Sequence, residues 1–81
     1  MDLKFNVTII HDINKIYIEC NQIINVEVLF YSNEKLLFQT PSNFTKNWFW
    51  YWINDHLSEI ENLRIEIKHD NNIIYEFSEN K

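Results

Sequence analysis

Apolar and polar residues alternate along three stretches of the chain, and a short polar break interrupts each stretch near its middle. Successive side chains of a strand point to opposite faces, so this period of two predicts β-strands, and the Asn- and Asp-containing breaks predict turns. The abundance of β-branched and aromatic residues favours the same structure. The three predicted hairpins join residues 5–10 to 16–19, residues 24–30 to 36–39, and residues 63–67 to 73–77.

The third hairpin shows the cleanest alternation. Ile65 and Ile67 are predicted to face the core. The intervening charged residues, Arg64, Glu66 and Lys68, are predicted to face water. A proline closes the second hairpin, because Pro41 has no N–H to donate to a ladder and is expected to end the strand.

Residues 44–62 contain five consecutive aromatic residues, at positions 48–52. As a strand, this run places Trp48, Trp50 and Trp52 on one face and Phe49 and Tyr51 on the other. A small two-layer domain has a single core and covers only one such face. The opposite face is therefore predicted either to meet a partner or to be exposed.

The same segment also has apolar residues at helical spacing, which gives an alternative structure. They are Phe49, Trp52, Ile53, His56, Leu57, Ile60 and Leu63. In this alternative, one helix near residues 46–61 packs on an antiparallel sheet in an α+β fold. The β propensity of Trp, Phe and Tyr favours the strand, followed by a short helical turn near residues 55–61.

We therefore predict an all-β fold, a compact antiparallel immunoglobulin-like sandwich of about seven short strands built from three hairpins. Its 81 residues form one domain, 1–81. With 46% hydrophobic and 16% aromatic residues, the chain can build a core without disulfides or metal, and no cofactor is expected. The single cysteine, Cys20, cannot form an intramolecular disulfide and is expected to be a small core residue in a reducing compartment.

The order of the strands resembles a known type of module. The strand KIYIE (15–19) is followed by VEVLFY (26–31) and KLLFQT (35–40), then by Asn47-Trp48 and a final hairpin over 63–76. This arrangement is similar to the small immunoglobulin-like accessory modules that accompany some bacterial glycosyltransferases. The resemblance implies a sandwich fold and a role linked to carbohydrate, and it transfers no functional residue.

The net charge of −5 is unevenly distributed, with −1 in residues 1–54 and −4 in residues 55–81. No cluster of Lys and Arg is present, so direct binding of nucleic acid is not expected. The acidic surface suits a basic protein partner, and self-association is a second way to cover the aromatic face. The apolar runs are too short to span a membrane, and residues 1–6 lack the apolar core of a signal peptide. The cytoplasm of a bacterium or of a phage-infected cell is therefore predicted.

Catalytic and metal motifs are lacking in the sequence. A chain without glycine cannot contain a nucleophile elbow or a phosphate-binding loop. The three histidines carry no metal-ligand spacing, so no enzyme and no metal site are predicted. The predicted function is a non-enzymatic protein-binding module, of the inhibitor, immunity, anti-defence or phage-assembly type, and the alternative is a carbohydrate-binding or glycosyltransferase-accessory module. The predicted binding residues are Trp48, Trp50, Tyr51, Trp52, Asp55 and Glu59.

Glycine is absent and asparagine occurs twelve times, a bias typical of an AT-rich genome. Turns that need a left-handed backbone must then use the next most tolerant residues. We therefore predict Asn or Asp at these positions.

Overall fold

The computed structural model describes residues 3–44, 49–53 and 55–79. Single 3₁₀ turns lie at His11–Ile13 and Leu57–Glu59, and these residues contain no α-helix. The strands form two antiparallel sheets, ordered β1-β2-β5 and β4-β3-β6-β7. The seven strands in the described residues are β1 (Phe5–Ile10), β2 (Lys15–Cys20), β3 (Ile24–Ser32), β4 (Lys35–Phe44), β5 (Phe49–Ile53), β6 (Leu63–His69) and β7 (Asn72–Glu79).

The predicted all-β fold of seven short antiparallel strands is confirmed, as are the three predicted hairpins. The α+β alternative is wrong, since Phe49–Ile53 pairs as a strand with β2, and the described residues from 55 to 61 contain a single 3₁₀ turn. Pairing gives the aromatic backbone ladder hydrogen bonds, and the bulky rings fit a pleated surface. The immunoglobulin-like topology and the single domain stay predictions.

The chain divides into two compact units. The first comprises Met1–Ile24 and Asn43–Glu59 and contains the sheet β1-β2-β5. Its register is set by the alternating burial of β2, in which Ile16 and Ile18 are fully buried and Glu19 is exposed. The ring of Phe5 meets that of buried Phe44 edge to face, with centroids 5.7 Å apart.

The second unit comprises Asn25–Ser42 and Ile60–Lys81 and contains the sheet β4-β3-β6-β7. Its core is built by alternate residues of the two central strands, β3 and β6. The fully buried members are Val28, Phe30, Ile65 and Ile67. As predicted, Ile65 and Ile67 are core residues. The ladder between β6 and β7 shifts register between Ile67 and Lys68.

Polar residues take the left-handed turn positions that glycine would otherwise occupy. Six described residues have positive φ: Asn14, Asn33, Glu34, Asn62, Asp70 and Asn71. Five of the six are Asn or Asp, which confirms the prediction, and Glu34 departs from it. Consecutive positive φ values in two-residue turns match the type I′ hairpin, whose twist fits the flanking strands.

The strand that contains Pro41 continues beyond it to Phe44, so the prediction that Pro41 ends the strand is wrong. β4 is at one edge of its sheet. An edge strand tolerates proline because an N–H that faces away from the sheet has no ladder partner to lose.

None of the helical segments in the described residues is long and apolar enough to cross a bilayer.

Candidate functional site

The aromatic run forms a strand at one edge of the first sheet. In the antiparallel ladder with β2, Trp50 is opposite Ile18, Tyr51 is opposite Tyr17, and Trp52 is opposite Ile16. Trp48 lies outside the described residues. For residues 49–53 the structure describes the backbone and its register.

This register distinguishes the two faces of the aromatic run. Residues directly opposite each other in a ladder lie on the same face of the sheet. Positions 50 and 52 therefore share the face of Ile18 and Ile16, which are fully buried. Position 51 lies on the opposite face, with Tyr17.

The face that carries Tyr17 is accessible to solvent. Across the sheet, Thr8 of β1 pairs with Tyr17 of β2, which in turn pairs with Tyr51 of β5. Thr8 is exposed, Tyr17 is half-buried, and the adjoining Glu19 is exposed. We call this surface, defined by Thr8, Tyr17, Glu19 and Tyr51, the tyrosine face.

The chemistry of the tyrosine face suits recognition. A tyrosine combines a large apolar ring with a hydroxyl that donates and accepts hydrogen bonds. The ladder places the two tyrosine positions, 17 and 51, directly opposite each other, and the exposed carboxylate of Glu19 adds negative charge on the same face. Tyrosine is enriched among the residues that contribute most to protein–protein binding.

The two predicted acidic site residues follow β5 in the chain. Asp55 and Glu59 are both exposed. The Glu59 carboxylate lies 3.3 Å from Nδ1 of His56, one turn earlier in the chain. Buried Leu57 anchors this segment. The carboxylates are therefore accessible to solvent, while the assignment of all six predicted site residues stays a prediction.

A charged cluster in the second unit was not recognised from the sequence. The guanidinium of Arg64 lies 2.9 Å from the carboxylate of Glu34 and contacts that of Glu66. A third carboxylate, that of Glu76, lies 3.9 Å away. The Arg64 Cζ lies over the ring of Tyr31, 4.3 Å from its centroid. The pairing of Tyr31 with Arg64 across β3 and β6 brings these groups together.

The prediction that Glu66 faces water is wrong, since only 6% of this residue is exposed. Glu66 lies on a central strand, opposite Leu29 on one side and Glu76 on the other. The Arg64 side chain shields its carboxylate and neutralises it. The alternation of residues 64–68 correctly places Glu66 on the face opposite Ile65 and Ile67. It does not show that the Arg64 side chain contacts the Glu66 carboxylate on that face.

Burial raises the pKa of the Tyr31 hydroxyl above its usual value of 10.0. The neighbouring Glu66 adds to the effect, since its negative charge opposes tyrosinate and its carboxylate accepts a hydrogen bond from the hydroxyl. The positive charge of Arg64 acts in the opposite direction, and Glu34 raises the pKa further. The cluster thus holds Tyr31 in its protonated form.

One open cavity of about 370 Å³ lies in the second unit, at the end of the β6–β7 hairpin. Its lining is mainly polar and includes Glu27, Lys68 and Asp70. The nearby His69 is engaged, with Nδ1 2.9 Å from the Asn25 carbonyl and Nε2 3.3 Å from the Asp70 carboxylate. Within the described residues, no three His, Cys, Asp or Glu side chains are grouped so that they could hold a metal ion.

No family model, curated protein or solved structure matches this chain.

Proposed function

We propose that this chain is a non-enzymatic protein-binding module that contacts a basic protein through its tyrosine face. The observation that carries the proposal is the direct opposition of Tyr17 and Tyr51 on the face of the sheet away from buried Ile16 and Ile18. In this proposal the partner contacts the face of β5 that carries position 51. The other face, with positions 50 and 52, is the one that carries the buried residues Ile18 and Ile16 of β2.

The charge of the molecule supports a basic partner. The net charge is −5, and Glu19, Asp55 and Glu59 of the first unit are all exposed. Complementary charge accelerates encounter and disfavours acidic competitors, while buried aromatic contacts supply most of the affinity. Tyr17 and Tyr51 would then be the anchors, with the carboxylates at the rim of the interface.

The acidic charge suits a protein that binds and blocks, or assembles with, a basic protein. We place the chain among inhibitor, immunity, anti-defence or phage-assembly proteins of the bacterial cytoplasm or a phage-infected cell. The net charge of −5 and the AT-rich composition support this proposal.

Affinity capture with matched baits tests this function. Wild-type protein, Tyr51→Ala and the control Ile13→Ser are immobilised, and the basic protein retained by the wild type is purified. Ile13 is an exposed apolar residue of the same unit, in the 3₁₀ turn after β1. Titration calorimetry should then show that Tyr51→Ala weakens binding about 30-fold, a loss of about 2 kcal/mol.

Ile13→Ser should bind like the wild type. Equal affinity of the wild type and Tyr51→Ala for the purified partner would exclude the tyrosine face as the contact surface. Retention of acidic proteins alone would exclude the proposed charge complementarity.

Binding of carbohydrate is the second candidate function. Adjacent aromatic positions on an open sheet face also form a platform on which sugar rings stack, and Tyr17 and Tyr51 provide such a pair. A glycan array probed with wild-type protein and Tyr51→Ala distinguishes the candidates. If the wild type binds glycans and Tyr51→Ala does not, carbohydrate binding is favoured. If the wild type binds no glycan on the array, this second candidate function is excluded.

A further inference from the structure

Strand β4 exposes consecutive large apolar residues at one edge of the second sheet. Leu36 and Leu37 are each 45% exposed and Phe38 is 40% exposed. Consecutive residues of a strand point to opposite faces, so both faces of this segment are incompletely covered. The ring of Phe38 lies 6.1 Å from that of buried Phe30, which places it at the margin of the core.

Edge strands present backbone N–H and C=O groups that can pair with another strand, and charged residues usually protect them. β7, at the opposite edge of the sheet, carries Glu76 and Glu79. β4 contains no acidic residue, and its single charge is Lys35 at its start. Pro41 cannot donate a hydrogen bond and limits pairing toward the other end. The unprotected part of β4 is therefore the segment 36–40.

We infer that β4 pairs antiparallel with β4 of a second copy of this chain, about a two-fold axis at Leu37. In this register Leu37 faces Leu37 of the second copy, and Leu36 faces Phe38. The three exposed apolar residues thereby become one another's cross-strand partners. A second copy would thus cover Leu36, Leu37 and Phe38, the three residues that are exposed on β4.

The charges in this register support a second copy as the occupant. Lys35 faces Gln39, so no like charges are directly opposed. The carboxylates of β7 are three strands away, roughly 14 Å at about 4.8 Å per strand, beyond a Debye length of about 8 Å at physiological salt. Glu34, the acidic residue next to β4, is paired with Arg64. The carboxylates of β7 therefore oppose pairing at β4 far less than they would oppose pairing at β7 itself.

The size of the contact predicts a weak dimer. Three partly exposed side chains and a short ladder bury less area than the roughly 1,200–2,000 Å² typical of stable interfaces. We expect a dissociation constant of about 10 µM to 1 mM. Dimerisation would add to the proposed protein-binding function without depending on it, because β5 belongs to the other sheet.

Sedimentation equilibrium of the full chain from about 10 µM to about 1 mM tests the dimer. The wild type should shift from monomer to dimer with increasing concentration. Leu37→Lys places two ammonium groups opposite each other on the axis and should raise the dissociation constant at least about 10-fold. The matched control is Ile73→Lys, which makes the same type of change at a 49% exposed residue of β7 and should dimerise like the wild type.

The register is tested separately with Leu37→Cys, since residues opposed on the axis can be oxidised to a disulfide between copies. Native Cys20 is buried, and Ile73→Cys serves as the control for random oxidation. Rapid cross-linking of Leu37→Cys alone supports the inference. A wild type that stays monomeric to about 1 mM, equal loss of dimer in both lysine variants, or equal cross-linking of both cysteine variants would each overturn it.

Discussion

The guanidinium of Arg64 lies over the ring of Tyr31, with its Cζ 4.3 Å from the ring centroid. A cation this close to an aromatic face is attracted by the ring quadrupole. Arg64 also contacts the carboxylate of Glu66, which is almost completely buried. One side chain therefore shields a tyrosine and neutralises a carboxylate on the same face of the second sheet.

Removal of this arginine should destabilise the protein. In Arg64→Met, the Glu66 carboxylate keeps its buried position but loses its cationic partner, and a buried charge without a partner is costly. We expect the free energy of unfolding, measured by urea denaturation, to fall by about 2–4 kcal/mol.

The double variant Arg64→Met/Glu66→Leu is the control for this mechanism. It removes both charges and should recover most of the lost stability, since apolar replacements of buried ion pairs are often neutral or stabilising. If the single and double variants lose the same stability, loss of packing around Arg64 would explain the effect instead.

Tyr31 should make stability depend on pH in the alkaline range. Its pKa is raised in the folded protein, so the folded state binds the tyrosine proton more tightly than the unfolded chain. The resulting stability is fully present below the unfolded value, near 10.0, and is lost as the pH rises through the folded pKa. We expect the urea midpoint to fall as the pH rises above about 10.

Tyr31→Phe should show a smaller fall over the same interval, and absorbance titration should lose the tyrosinate step of Tyr31. Tyr75→Phe, in the same sheet, is the matched control and should retain that step, because Tyr31 is still present. An identical pH dependence of stability in the wild type and Tyr31→Phe would contradict the prediction that Tyr31 causes the alkaline loss of stability.

The hairpins were predictable because their information is local. Alternation in each strand and polar residues in each turn specify β1–β2, β3–β4 and β6–β7 without knowledge of distant contacts. Left-handed Asn and Asp turn positions were predictable for the same reason. The continuation of β4 past Pro41 could not be predicted, because the cost of a missing N–H depends on whether the strand is at an edge.

The two faces of the aromatic run could not be told apart from the sequence. Both faces of β5 are apolar, so alternation gives no preference. The distinction comes from pairing with β2, whose own alternation of Ile16 and Ile18 with Tyr17 is unambiguous. The Arg64 cluster was missed for a similar reason, since Tyr31 and Glu34 lie about thirty residues away in the chain.

The β5 register makes its own prediction. Position 50 lies opposite fully buried Ile18, whereas position 51 lies on the tyrosine face. We expect Trp50→Ala to lower the free energy of unfolding by about 3–5 kcal/mol, the usual cost of removing a large aromatic from a core. Tyr51→Ala should cost no more than about 1 kcal/mol. Guanidinium denaturation followed by far-UV circular dichroism measures both losses. A larger loss of stability in Tyr51→Ala than in Trp50→Ala would mean that position 51, and not position 50, faces the core.

The absence of glycine leaves stability to be gained at the turn between β6 and β7. Asp70 and Asn71 have φ values of 51° and 66°, which suit a type I′ turn, and Asp-Gly is among the best pairs for it. Asn71→Gly should raise the free energy of unfolding by about 0.5–1 kcal/mol, because glycine adopts positive φ without a steric cost. Asn72→Gly is the neighbouring control and should lower it, since Asn72 begins β7 and its side chain donates to the Asp70 carbonyl. Thermal unfolding of the three proteins measures both effects, and a loss of stability in Asn71→Gly would show that asparagine is already the better residue there.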